Sequence, residues 1–538
     1  MDANKTYTHA QLTTRLEEIA KAHPDLVFLT ALSRTDEGRQ VWCIELAADR
    51  KQLPTNNRPG LLIQGNMHAI EFAGCAQSLY LLTQLLENYP NDAHIRHLLN
   101  TQVIYILPRI DPDGSDYILQ TGHRIRNRLH IPKEPNVVYP EDINGDGRIG
   151  SMRWQTPDGN LKTCPTDPRL LIARQPDDTV GPFYRQTDEG HIPNWDGITI
   201  RNTSARCDFN RNFPARWQPS HTSIGWGPYP LSEPETRAVA NFVLSHPNIS
   251  RVLDFHTGNP AIFYPSALIA GQTHDFEDAR LHRKIGSTGE ALTGFRYISG
   301  YAEGWHGTHT DILPGAFKEW VYEHTGALCF IVEMGMHYNY LGLDDLQRQK
   351  PPIEREEADG LAQLAWHEAN PKAGLFHVWK PFDHPQLGPV EIGGWDWVIW
   401  SNPPPEKMED VCKKGAEFIL DVAKYCPVIH IEIPEVTSIA ENLYKIRVCI
   451  RNTGLLSTSA TRQGQNTHPF AKPLLTVQAN DDMDMISGKA EQHIDHLPAT
   501  TGVHHASYVI RTQARHLTVA LASDKGGSTS AVIMLPRQ

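Results

Sequence analysis

The sequence predicts an α/β fold, a mainly parallel or mixed sheet with helices on both faces, followed by a C-terminal β-sandwich. Three observations point there. The strand-length apolar runs RPGLLIQGN, TQVIYILPR, RVLDFHTG and GALCFIVEMG are separated by amphipathic helical patterns, and a strand buried on both faces reads as such an unbroken run. Most of these runs close on turn-forming or polar residues, as strands do where they leave a sheet. After about residue 428 the text changes to short alternating stretches such as NLYKIRVCIRNTG and HLTVALAS, the pattern of strands with one buried face.

The elements follow in order. From Tyr7 a helix (LTTRLEEIAKAHPDL) and short strand-like runs lead to Leu46, and RPGLLIQGN then forms a buried strand. Phe72, Cys75, Ala76, Leu79, Leu82, Leu85 and Leu86 recur at helical spacing, the inner face of a helix. TQVIYILPRIDPDG is a second strand closed by a turn. Between about Leu129 and Arg206 the alternation stops and Pro, Asp, Gly and Asn dominate, which reads as a loop-rich insertion. SEPETRAVANFVLSH resumes as a helix feeding RVLDFHTG, and GALCFIVEMG is a further buried strand. The expected domains are residues 1–380 with the insertion at 129–206, a connector with one helix at 381–427, and the sandwich at 428–538.

A chain of 538 residues exceeds the span of one hydrophobic core. Its 62 acidic against 50 basic residues, net charge −12, give no general attraction to nucleic acid or an anionic membrane. No apolar run approaches the roughly eighteen residues of a membrane span, and the first residues lack the hydrophobic core of a signal peptide. The eight cysteines show no C-x-x-C spacing, which predicts a reduced, cytoplasmic protein. A removed export signal would leave the same text in a secreted or periplasmic one. Oligomeric state is not written in the sequence.

The stretch GNMHAIEFAG places His68 and Glu71 three apart where a buried strand gives way to a helix. His256 and Glu333 also stand at strand ends, and in open α/β sheets chemistry gathers beyond the carboxyl ends of the strands. Two histidines and a glutamate are an accepted ligand set for a hydrolytic zinc with one position left for water. His68, Glu71 and His256 are therefore the candidate Zn2+ ligands.

These residues sit in motifs that together resemble one family. GNMHAIE, HRIRNR, DFNRNF, PLSEPET, DFHTG and CFIVEMG look like, in the same order, the successive motifs of the zinc carboxypeptidases related to carboxypeptidase A, over about Tyr7 to Asn370. The His₂Glu set is the family's known one. The resemblance implies that Glu333 is the general base, that Asn210 and Arg211 hold a substrate's free carboxylate, and that Arg126 stabilises the developing oxyanion, with Arg124 and Arg128 as rivals. Asp208 is expected to be a supporting residue. Glu391 in HPQLGPVEIGG imitates Glu333 without its preceding residues. An ungapped count puts the digestive enzymes' mobile tyrosine near Asp311, so that phenol is missing, and places Lys318 at the floor of the specificity pocket, where it would favour acidic terminal residues.

DINGDGRIG matches the start of a Ca2+ loop, with Asp142, Asn144, Asp146 and the carbonyl of Arg148 as candidate ligands. The twelfth place is Arg153 rather than an acid, so Asp158 or Glu141 would have to complete the shell. The expected function is hydrolysis of a C-terminal peptide bond in a peptide or peptide-like substrate. An amidohydrolase acting on N-acyl amino acids or cell-wall muropeptides would use the same residues. A non-catalytic peptide- or glycan-binding protein would need none of the four.

Overall fold

The computed structural model describes residues 5–128, 134–201, 207–219, 226–265, 276–298, 314–342, 352–479 and 482–536. Among them an eight-stranded mixed sheet runs in the order Val27–Arg34, Gln40–Leu46, Val103–Leu107, Gly60–Gly65, Ile249–His256, Leu328–Glu333, Ala261–Phe263, Arg296–Ile298. The four central strands, Val103–Leu107 to Leu328–Glu333, are mutually parallel. Antiparallel pairs flank them. Three adjacent parallel strands thus end on one edge of the sheet, at Gly65, His256 and Glu333.

The apolar runs of these strands supply both cores, because successive side chains point to opposite faces. Leu61, Ile63, Leu253, Phe255, Phe330 and Val332 pack on one side with Leu79, Leu82 and Leu86 of the helix Phe72–Asn88. Leu62, Val252 and Cys329 pack on the other with Val239, Phe242, Phe317 and Trp320. The four central strands are buried along nearly their whole length, so a site can open only at their ends.

Two expectations need correction. The segment 129–206 is not built of loops alone: Ser151–Gln155, Leu161–Thr163, Leu171–Ala173 and Phe183–Asp188 are strands, and the hairpin Phe376–His384 and Gly388–Trp395 joins them in one six-stranded antiparallel sheet. The expected boundary between residues 380 and 381 falls inside the first strand of that hairpin. Strands of three residues leave no apolar run to read, and Ser151–Gln155 finds one of its partners far away in the chain, in Gly388–Trp395. The second correction concerns the helix Pro405–Ala423, expected in a connector. It buries Met408, Val411, Phe418 and Ile419 against the same face of the main sheet as the helix Phe72–Asn88. Its amphipathic pattern reported a buried face without saying which surface covers it.

The C-terminal region forms two four-stranded sheets, Ile429–Ala440, Leu443–Asn452, Gly502–Thr512, Met483–Ser487 and Glu491–His493, Leu474–Ala479, His516–Ser523, Gly527–Met534. Ile446, Val448, Leu475, Val477, Ile510 and Leu517 fill the space between. Lys525 donates from Nζ to the carbonyl of Ile249 at 2.9 Å, fastening this region to the start of the strand that ends at His256. Among the described residues no helix is long and apolar enough to cross a membrane.

Candidate metal centre

The stretch Gly65–Gly74 is bounded by two glycines for a steric reason. A Cβ on Gly65 would lie 2.4 Å from the carbonyl carbon of Gly74, and one on Gly74 would lie 2.6 Å from the carbonyl oxygen of Phe255. Absence of both side chains lets the first turn of the helix Phe72–Asn88 close directly onto the strand ends. Asn66, in the left-handed region with φ 53°, donates to the carbonyls of His68 at 2.8 Å and Ala69 at 3.2 Å, and so shapes the intervening loop. Gly74→Ala is expected to lower stability by about 1–3 kcal/mol, the usual cost of overpacking, which a denaturant titration measures.

The loop aims His68 and Glu71 at the end of the next strand. His68 Nδ1 lies 2.9 Å from Glu71 Oε1, His256 Nδ1 lies 2.9 Å from Glu71 Oε2, and the two Nδ1 atoms are 3.0 Å apart. One ligand atom from each residue falls within 4.8 Å of the others. The three are buried, at 2%, 4% and 1% exposure, too deep for solvent to separate the charges. Two imidazole nitrogens facing each other across a carboxylate cannot all be satisfied by one proton. A small divalent cation can satisfy all three at once, so the residues fit a zinc ion.

The far nitrogens of both rings are held by carboxylates. His68 Nε2 lies 3.2 Å from Asp208 Oδ1, and His256 Nε2 lies 2.8 Å from Asp254 Oδ2. Such partners take the N–H, leave Nδ1 as the donor lone pair and fix the ring plane. Burial opposes charge on His256, but Asp254 and Glu71 outweigh it and raise its pKa well above the ordinary value. Burial would likewise raise Glu71 and Asp208, yet the histidines pull the first down, and Arg126, Arg211 and His68 hold the second well below the carboxylate range. The site therefore presents ionised carboxylates that call for a cation. Local sequence pattern does not single out Asp254, although its place two residues before His256 in the strand puts both on one face.

Glu333 pairs in register with His256 on the neighbouring parallel strand. Its Oε2 is sealed from solvent and has no hydrogen-bond partner among the described residues, and a Cβ on Gly258 would lie 2.8 Å from that oxygen. Burial, with Glu71 adding to it and His256, His68 and Arg126 opposing, pushes its pKa up to about 7. Arg126 donates from Nε to Asp208 Oδ2 at 2.7 Å and brings Nη1 within 3.6 Å of Glu71 Oε1. Its rivals are engaged elsewhere: Arg124 lies 4.7 Å over the Trp397 ring, and Arg128 donates to both oxygens of Glu235 at 2.9 and 3.1 Å.

Asn210 and Arg211 lie on a short 3-10 turn, Phe209–Arg211, capped by Asp208. The Oδ1 of Asn210 accepts from the N–H of Phe317 at 2.8 Å, which sets Lys318 beside this turn. Lys318 is buried and ion-paired to the adjacent Glu319. Asp311 lies outside the described residues. Glu391 does not approach Glu333 in role: it sits within a strand and accepts from Arg153 Nε at 2.8 Å.

In the loop from Asp142, the oxygens of Asp142 accept from Gly145 N at 2.8 Å, Asp146 N at 3.1 Å and Gly147 N at 2.8 Å. Buried Glu189 closes the turn from the side, accepting from Ile143 N at 3.0 Å and Gly150 N at 2.8 Å. Asp158 pairs with Arg185, and Glu141 Oε2 lies 2.6 Å from His191 Nδ1. Arg148 turns its guanidinium to Asp396 at 2.6 Å.

Residues 12–349 match the Peptidase_M14 family, described as zinc carboxypeptidase, and residues 428–534 match a domain of unknown function, DUF8731. The chain is 30% identical over 133 residues to a zinc carboxypeptidase of Saccharothrix mutabilis subsp. capreolus, covering 23% of this chain and 30% of that protein. It is 22% identical over 331 residues to carboxypeptidase A6 of Homo sapiens, covering 59% of this chain and 57% of that protein. These matches therefore span less than two thirds of either relative's own length. The crystal structure of carboxypeptidase A from Helicoverpa armigera superposes over 69% of this chain and 75% of that one, at 16% identity and a TM-score of 0.43. The family match runs over most of the chain and takes in the buried His68, Glu71 and His256 together with Glu333, and the chain belongs to the zinc carboxypeptidase family.

Proposed function

We propose that this chain is a zinc-dependent carboxypeptidase that hydrolyses the C-terminal peptide bond of a peptide. The observation that carries the reading is the buried His68–Glu71–His256 cluster with Glu333 on the adjoining strand end, its Oε2 without a hydrogen-bond partner among the described residues. Held by those three residues, zinc supplies a Lewis acid that polarises a carbonyl and makes water more acidic. Glu333 takes the proton of the attacking water and returns it to the leaving amine nitrogen. Arg211 and Asn210 bind the terminal carboxylate, a task suited to a planar guanidinium. Arg126, steered by Asp208, donates to the oxygen that gains charge.

Zinc content per chain, measured together with release of free amino acids from peptides, N-acyl amino acids and muropeptides, tests this reading. Peptides are expected to be the best of the three, and an absence of stoichiometric zinc would end it. The finer proposal, a preference for acidic C-terminal residues, rests on Lys318, whose ammonium must turn from Glu319 to a substrate carboxylate. Lys318→Met is expected to lower kcat/KM for a Glu-ending peptide about tenfold, the scale of one charged hydrogen bond, with little change for a Leu-ending one. Acidic ends being the poorest substrates would remove that role from Lys318. The Asp142–Arg148 loop enters as a wall of the insertion, and Ca2+ there would add to a turn its own N–H groups already close.

A further inference from the structure

The first N–H groups of a helix have no partner inside it, and the residue at the N-cap commonly supplies an acceptor from its side chain. In the helix Phe72–Asn88 the N-cap is Glu71, which makes no capping bond. Its two oxygens are turned to His68 and His256 instead, each at 2.9 Å. One carboxylate cannot serve both the helix end and the metal position. The N–H of Ala73 is met from 329 positions away, by Asn402 Oδ1 at 2.9 Å. The amide's other end, Nδ2, donates to the carbonyl of Ile70 at 2.9 Å and to that of Val398 at 2.8 Å.

We infer that Asn402 is a positioning residue for the metal ligand Glu71, capping the ligand's own helix in its place. This rests on the zinc reading above. A single side-chain amide grips the backbone on both sides of Glu71, at Ile70 and at Ala73, and is only 6% exposed, so water does not readily substitute for it. The segment that carries Asn402 is fixed in turn. Asp396 caps the short helix Trp397–Trp400 through the N–H groups of Val398 and Ile399, both at 3.1 Å, and accepts from Arg148 of the insertion at 2.6 Å. Trp397 and Val398 pack against the cluster of Ile70, Phe72, Ile118 and Ile125. The six-stranded sheet thereby reaches the zinc ligand through one amide.

Without Asn402, the Glu71 carboxylate stands at the N-cap of a buried helix end with an unmet N–H, and is drawn away from the histidines. Partners that orient metal ligands typically alter affinity by about 10–100-fold when lost. Asn402→Leu keeps the volume and removes every bond, and Asn402→Ser keeps a hydroxyl too short to span Ile70 and Ala73. Asn402→Asp retains the acceptor for Ala73. Zinc dissociation constants of the full chain, measured by chelator competition beside circular dichroism and thermal unfolding of the zinc-free proteins, decide the matter. Leu and Ser variants should bind zinc about 10–100-fold more weakly, with the Asp variant recovering at least a third of that loss on a logarithmic scale. A folded Leu or Ser variant binding zinc within twofold of the wild type overturns the inference, and so does an Asp variant no better than Ser. Should Leu prevent folding, Ser decides by the same threshold. A wild-type chain that binds no zinc would instead defeat the metal reading itself.

Discussion

Glu333→Gln is expected to lower kcat by about 10²–10⁴-fold, the range lost with a positioned general base, while the zinc dissociation constant stays within about threefold. The amide has the carboxyl's shape, so His256, the register of the two strands and the zinc ligands are undisturbed. What disappears is a basic oxygen that is sealed and unpartnered. Because the base acts when ionised, kcat/KM of the wild type should rise with pH along an acid limb lying between the ordinary value of 4.5 and the raised value of about 7. A divalent cation held nearby would itself attract the ionised carboxylate and move that limb toward the acid end. The limb should vanish in the variant. Stability has the opposite sign: a carboxyl whose folded pKa is raised favours folding in its protonated form, so its contribution is lost as pH climbs from 4.5 to about 7. Glu333→Gln should therefore unfold no more easily than the wild type at pH 8. Full turnover in a folded, zinc-loaded variant would remove the general-base role from Glu333.

The parts of this site that the sequence exposes are those where local pattern and function coincide. His68, Glu71, His256 and Glu333 each follow an apolar run long enough to be read as a buried strand, so their place on one sheet edge can be inferred before any contact is known. Asp208 was visible only because it precedes Asn210 and Arg211 in one motif. Asn402 carries no such signal: its partners Ile70 and Ala73 are over three hundred residues away, and a lone asparagine before prolines reads as a turn. The six-stranded sheet was hidden for a related reason. Two of its strands, Leu161–Thr163 and Leu171–Ala173, are three residues long and half-buried throughout, so hydrophobic period has little to report there. Arg153 shows the consequence. Read as the failed last ligand of a cation loop, it is a strand residue bonded to Glu391 across the sheet.

Arg126→Ala is expected to lower kcat by about 10²–10³-fold, the loss seen when a donor to a developing oxyanion is removed, with KM changing far less. The geometry separates Arg126 from its neighbours. It alone of the three arginines in HRIRNR both contacts Asp208, at 2.7 Å, and comes within 3.6 Å of a zinc-ligand oxygen, while its side chain stays 37% exposed, open to an incoming substrate. Arg126→Lys restores charge without the planar fork, so it should recover only part of the rate. Zinc binding should weaken modestly in Arg126→Ala, because Asp208 also holds His68 Nε2 and loses one of the cations that keep it ionised. Arg128→Ala should behave differently, since its guanidinium answers buried Glu235, whose pKa burial already raises to about 8. Its removal strands that carboxyl, and the cost should appear as lower thermal stability with kcat nearly intact. If Arg128→Ala instead cut kcat a hundredfold or more and Arg126→Ala left it unchanged, the oxyanion role would pass to Arg128.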